Sequence, residues 1–320
     1  MPSPKVSILV PNYNHASFLE KRLDSIFNQT FQDFEVILLD DCSTDNSVEV
    51  LNKYSRNEKV AHFTVNEVNT GSPFKQWQKG FELAKGEWIW IAESDDYADY
   101  TFLEKLLNFS KENNETPDLI YSQSNDVDEE GNFVENRIGY TENFTPNVWR
   151  NSFIIEGYEF VEKYLKVKCV IPNASAVLFK KTLLKEAVMN SGFLKMRICG
   201  DWYFWIRLLQ QAKVGFYNEP LNSFRFHRNV TRNQRNYQKI FIRCSEEKTI
   251  RDYLNTTYKA DQKEEAAVLY ERWFKNNSIS KLFSKEFYAV KLRSTSYYSY
   301  IKKFFEVHRT REKLLKKFRR

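Results

Sequence analysis

Apolar and polar positions alternate in blocks along the first hundred residues. The run KVSILV at 5–10 gives way to ASFLEKRLDSIFNQ at 16–29, whose apolar residues return every three or four positions, and then to EVILLD at 35–40. A short apolar run bounded by turn residues predicts a buried strand, and the three-to-four spacing predicts an amphipathic helix. The series continues with a polar turn and a helix-like stretch, a weak strand VAHFTV at 60–65, a helix near SPFKQWQKGFELAK at 72–85 and a strand EWIWIAE at 87–93. Strands separated by helices of this size predict parallel pairing in an open α/β sheet.

Further on the pattern is less regular. DLIYSQSNDVDEEGNFVE at 118–135 predicts a strand and hairpin, EGYEFVEKYL at 156–165 a short helix, and NASAVLFKKTLLKEAV at 173–188 a strand feeding a helix. GDWYFWIRLLQQA at 200–212 predicts another helix, and PLNSFRFH at 220–227 a closing strand. Beyond about residue 230 the strand signal stops. The chain therefore divides into an α/β region, 1–230, and a helical appendage, 231–320, without repeats or a low-complexity linker.

Composition changes this picture little, but charge does. Of 320 residues, 42% are hydrophobic, enough for a real core. The net charge of +6 is concentrated in the final twenty residues, IKKFFEVHRTREKLLKKFRR, which hold nine Lys or Arg against two Glu. The remainder is close to neutral, which argues against a general nucleic-acid footprint. Ile301, Phe304, Phe305, Leu315 and Phe318 recur near helical spacing in that tail. Two readings fit: a basic amphipathic helix on an anionic membrane surface, or a helix docking its apolar side on the protein. No apolar run has membrane-spanning length, and MPSPKVSILVPNYN lacks the features of a secretion signal, so a cytosolic protein is expected, at most peripheral on the inner face of the membrane. Cys42, Cys169, Cys199 and Cys244 have no paired spacing and are expected as free thiols.

The segment GEWIWIAESDDYAD at 86–99 runs from a predicted strand into a carboxylate cluster, Glu93, Asp95 and Asp96. Open α/β sheets bind ligands beyond the carboxyl ends of their strands. LVPNYN after the first strand, and LLDDCSTDNS with Asp40 and Asp41 after the second, open onto the same predicted edge. The cluster is either a solvated acidic turn or a site for Mg²⁺ or Mn²⁺, which are commonly held by one or two carboxylates plus substrate phosphates. The phosphate-binding glycine loops of dehydrogenases and nucleoside triphosphatases are both missing.

These segments together resemble family 2 glycosyltransferases of the GT-A fold. The likeness runs from VSILVPNYNHASFLEKRLDSIFNQTFQDFEVILLDDCSTDNS through NTGSPFKQWQKGFELAKGEWIWIAESDDYAD, NASAVLFKK and GDWYFWIRLL to FRFHRNVT, roughly residues 4–232, in the family's order. The resemblance implies an inverting, metal-dependent transfer of a sugar from a nucleotide diphosphate, UDP by the family's habit, to a saccharide or lipid-linked acceptor in surface polysaccharide synthesis. It places the nucleoside against Pro11, Tyr13 and Asp41; Lys75 and Lys79 are either contacts to the nucleotide or its phosphates or part of a solvated helix face. It places the acidic signature on Glu93, Ser94, Asp95 and Asp96, and the metal on Asp95 and His227. Glu93 stands where the family usually has Asp. Asp201 matches the catalytic base, with Gly200 where a second acid often precedes it; an Asp there also suits a helix N-cap. Trp149, Trp202 and Tyr203 are candidates to stack on acceptor sugars. Two other readings stay open: a non-catalytic saccharide- or membrane-binding protein on a degenerate transferase fold, and a nucleic-acid module in the basic C-terminal region.

Overall fold

The computed structural model describes residues 3–112, 116–227 and 236–318. They fall within two compact units, 1–161 with 169–196 and 200–230, and 162–168 with 197–199 and 231–320. The expected boundary after residue 230 lies outside the described residues.

The first unit is an open mixed sheet flanked by helices. Its strands are β1 (Val6–Asn12), β2 (Phe34–Asp40), β3 (Val60–Val65), β4 (Trp88–Ile91), β5 (Tyr97–Ala98), β6 (Leu119–Val127), β7 (Phe133–Asn136), β8 (Phe153–Glu156), β9 (Val177–Lys180) and β10 (Lys213–Arg225). The sheet order is β3-β2-β1-β4-β9-β6-β10-β5, with β7 on β6 and β8 on β10. β1 pairs in parallel with β2 and β4, and β2 with β3. β9 runs antiparallel to both β4 and β6, while β6 and β10 are parallel. β1, β2, β4, β6 and β10 therefore all end on one edge. Every residue of β1, β2 and β4 is buried, as expected of strands covered on both faces.

The helices of this unit are α1 (Ala16–Phe27), α2 (Ser47–Tyr54), α3 (Pro73–Leu83), α4 (Phe102–Glu112), α5 (Gly157–Phe160), α6 (Glu186–Met189) and α7 (Gly200–Leu208). Leu19, Leu23 and Ile26 of α1 join Val36, Leu38, Trp88, Trp90 and Leu106 in one core cluster. The sequence pattern misplaces the last strand. β10 begins at Lys213, not near Pro220, because residues 213–217 already pair with β8 and β6 before the register shifts on both sides of Pro220. β5 and β8 are two and four residues long, too short to announce themselves.

The second unit is helical: α8 (Tyr237–Thr257), α9 (Lys263–Phe274), α10 (Lys285–Tyr288) and α11 (Tyr297–Phe318). Cys244, Tyr270, Trp273, Phe274, Phe287, Tyr300 and Phe304 form its core. Phe304 thus belongs to the packed interior rather than to an exposed apolar stripe, whereas Phe305 is 48% exposed. The side chains of Leu315 and Phe318 lie outside the described residues. None of the described helices is long and apolar enough to cross a membrane. All four cysteines are free.

Candidate active site

Four consecutive residues after β4 reach four different partners. Glu93 Oε1 accepts a hydrogen bond from Trp77 Nε1 on α3 at 2.8 Å. Ser94 Oγ lies 2.8 Å from Nδ1 of His15, in the loop after β1. Asp95 Oδ2 lies 3.1 Å from Nε2 of His227, just past β10. Asp96 Oδ1 accepts from the Arg225 backbone N–H at 3.0 Å. One short loop thereby ties together segments from residue 15 to residue 227.

Two buried arginines sit beside these carboxylates but spend their hydrogen bonds on backbone. Arg22 Nε donates to the Glu93 carbonyl at 3.0 Å, and its guanidinium lies 5.1 Å from the Trp90 ring. Arg225 Nε donates to the Asp95 carbonyl at 2.8 Å, and its Nη1 to the carbonyls of Asp128 and Glu129. The carboxylates feel this as incomplete compensation. Burial, with Asp95 alongside, pushes Glu93 up to about 8. The same two causes push Asp96 up to about 7. Burial also bears upward on Asp95, but the His227 hydrogen bond and the two nearby imidazoles outweigh it and hold Asp95 below its ordinary value. Burial brings Arg22 down to about 10 and lowers His15, favouring a neutral imidazole.

His15, Asp95 and His227 each offer a ligand atom, and these atoms all lie within 4.8 Å of one another. The His227 side chain is almost fully enclosed. Phe18 packs against both imidazoles, giving the group an apolar backing. Two nitrogens and a carboxylate oxygen converging beside further carboxylates form a donor set that fits a divalent cation.

The second strand end is built differently. Asp40 accepts from Asn12 Nδ2 and from the Ser43 N–H and hydroxyl. Asp41 accepts from Asn66 Nδ2, Gln76 Nε2 and both the N–H and hydroxyl of Thr70. A carboxylate has about four acceptor positions. Those of Asp41 are occupied from within the protein, unlike a group left open to a nucleobase. Pro11 lies inside β1, buried and paired with Leu39, rather than in the loop. Tyr13 is 43% exposed at the mouth. Lys75 is exposed on α3, while Lys79 donates to Asn66 Oδ1 at 2.9 Å.

Asp201 is half-buried in the first turn of α7, one residue inside the helix rather than at its N-cap, and its Oδ1 accepts from the Trp202 N–H at 2.7 Å. Gly200 has a steric cause: a Cβ there would lie 2.4 Å from the Phe74 ring. The Phe74 ring fills the place where an acidic side chain at 200 would begin. Trp149, Trp202 and Tyr203 are buried core residues, which removes them as sugar-stacking surfaces; Trp149 Nε1 donates to the Tyr121 hydroxyl.

His15, Arg22, Arg225 and Trp77 were missed as site residues by sequence reasoning. Arg22 reads there as one charge among several on a helix, and the others are joined only by the fold.

An open mixed sheet of this order, with a carboxylate loop at its carboxyl edge, defines the GT-A class of glycosyltransferases. The model of the family described as Glycosyl transferase family 2 matches residues 7–183, and the chain belongs to that family. It is similar to the poly(ribitol-phosphate) beta-glucosyltransferase of Bacillus spizizenii, 40% identical over 111 residues, which cover 34% of this chain and 18% of that relative. The chain thus spans well under two thirds of that protein's length. It is also similar to glycosyltransferase GlyG of Streptococcus pneumoniae, 32% identical over 238 residues, covering 70% of this chain and 71% of the relative. Among solved structures, residues 1–349 of S. aureus TarS in complex with UDP share the fold, with a TM-score of 0.59 at 17% identity, covering 97% of this chain and 91% of that one.

Proposed function

We propose that this family 2 enzyme is an inverting glycosyltransferase that moves a sugar from a UDP-sugar to a hydroxyl of a saccharide or lipid-linked saccharide in surface polysaccharide synthesis. The observation that carries the reading is the contact between Asp95 and His227 at 3.1 Å, which joins the acidic loop after β4 to the end of β10 where a nucleotide diphosphate would lie. The names of the relatives agree with it: one glucosylates poly(ribitol phosphate), and TarS has been crystallised with UDP.

In this proposal Tyr13, exposed at the mouth, packs on the base, and the end of β1 at Pro11 sets its height. Asp41 acts by holding the 66–72 segment that faces the nucleoside, and Lys75 meets the phosphates from α3. Glu93 faces the ribose, while the buried Asp96 supports the donor loop by accepting from the Arg225 N–H and Ser94 orients His15. Asp95 and His227 would hold Mn²⁺ or Mg²⁺, which when bound would supply Lewis-acid relief of charge on the departing diphosphate. Asp201 takes the proton from the acceptor hydroxyl as that oxygen attacks the opposite face of the sugar. One attack at the anomeric carbon inverts its configuration, and no paired nucleophilic carboxylate is required. The catalytic region is residues 1–230. The basic stretch 301–320 of the helical region brings the enzyme to an anionic inner membrane face, where a lipid-linked acceptor resides.

The test is a thermal shift with UDP, GDP, CDP and dTDP, with and without Mn²⁺, on the wild type and on Asp95→Asn. UDP at about a hundredfold over its dissociation constant should add roughly 2.7 kcal/mol. The expected result is a UDP shift that needs the metal and is lost in the variant. Absence of any nucleotide shift overturns the donor assignment.

A further inference from the structure

We infer that His15 is a third protein ligand of the divalent cation, making a cup of two imidazoles and one carboxylate. The inference rests on the donor-site reading above, which by itself assigns the ion only to Asp95 and His227.

Three observations carry it. First, His15 contributes to the group of ligand atoms that lie within 4.8 Å of one another, although it stands 80 positions from Asp95 in sequence and belongs to no acidic motif. Second, the imidazole is oriented from behind. The Ser94 hydroxyl, 2.8 Å away and buried, engages Nδ1, which leaves Nε2 as the nitrogen able to take an ion. A metal-binding histidine usually has its other ring nitrogen held by such a partner. Here the partner is the residue immediately before Asp95, so the acidic loop supplies one ligand and aims another. Third, the spacing suits an ion. Ligand atoms in adjacent positions around an ion with bonds of about 2.1 Å sit about 3.0 Å apart. The 3.1 Å hydrogen bond between His227 Nε2 and Asp95 Oδ2 already holds the two atoms at the length of such an edge, so an ion can take the place of the bridging proton with little movement. The two rings stand edge to face, with centroids 5.3 Å apart, rather than stacked.

The test uses the full chain, with MnCl₂ followed by electron paramagnetic resonance, with and without UDP. Pulsed measurements of nitrogen coupling count the imidazoles on the ion. Two are expected in the wild type, one in His15→Ala and one in His227→Ala. Mn²⁺ affinity should fall at least about tenfold in His15→Ala. His15→Asn, which keeps a polar partner for Ser94 but lacks the imidazole, should match it, and melting in EDTA confirms that each variant folds. A single coupled imidazole in the wild type, or undiminished Mn²⁺ binding in both His15 variants, overturns the assignment. If UDP still binds with Mn²⁺ in that case, the donor-site reading stands without His15. If neither UDP nor Mn²⁺ binds the wild type, both readings fall.

Discussion

In the helical unit the buried carboxylate of Glu247 accepts from Arg251 Nε and Nη2 at 2.9 and 2.6 Å and from Arg272 Nη1 at 2.5 Å. In the sheet unit the buried guanidiniums of Arg22 and Arg225 turn their Nε–H groups to the carbonyls of Glu93 and Asp95 instead of to the carboxylates. The electrostatic outcomes are opposite. Burial alone would raise Glu247, yet the two arginines hold it below the ordinary carboxylate value. Glu93 and Asp96 are driven up to about 8 and about 7. A buried ion pair with every atom matched is a finished structural element, whereas carboxylates left short of positive charge are disposed toward a cation from solution. The contrast separates scaffold from site without reference to any motif.

The sharpest division between the two regions comes from changing one group in each. Asp201→Asn should reduce sugar transfer by about 10²–10⁴-fold, the usual worth of a general base, while UDP affinity measured by calorimetry stays the same. Equal transfer rates in wild type and variant would remove Asp201 from the chemistry.

Glu247→Ala should do the reverse. Leaving Arg251 buried without its partner should cost about 3–5 kcal/mol in denaturant unfolding. The pH dependence has a definite sign. A carboxylate with a lowered folded-state pKa contributes stability above its ordinary value of 4.5, and that contribution is lost as pH falls through the folded-state value. Acid unfolding of the wild type should therefore include a component that is absent in Glu247→Ala.

A smaller effect tests the packing beside the proposed base. Gly200→Ala puts a methyl against the Phe74 ring and should cost about 1–3 kcal/mol by overpacking, relieved in the double variant with Phe74→Leu. The smallest effect on the fold is expected from the tail. Removing residues 309–320, which spares the buried Tyr300 and Phe304, should leave the melting temperature nearly unchanged and weaken partitioning to anionic liposomes, about 1 kcal/mol for each basic residue near the surface. Unchanged partitioning counts against membrane contact.

What the sequence disclosed follows the same physical line. β1, β2 and β4 are legible because strands buried on both faces must be continuously apolar, and the segments that bring Asp95 within 3.1 Å of His227 are legible because they keep the family's order. The first half of β10 is not, since Gly215, Asn218 and Pro220 interrupt its apolar run and only the pairing with β6 and β8 makes it a strand. Arg22 lies in a segment, EKRLDS, indistinguishable from a solvated helix face, and its burial is a property of the sheet beneath it. Trp149, Trp202 and Tyr203 mislead in the other direction: an aromatic side chain suits a sugar and a core equally well, and only packing decides between them.

The pairing of Asp95 with His227 spans 132 positions of chain. A polypeptide emerging from the ribosome completes the strands of its first hundred residues long before the histidine is made. With only those strands made, β4 has no β9 beside it and β5 has no β10, so the loop between them that carries Asp95 is held on one side only, and its resistance to protease would mark the moment at which synthesis has passed β10 and that strand has docked.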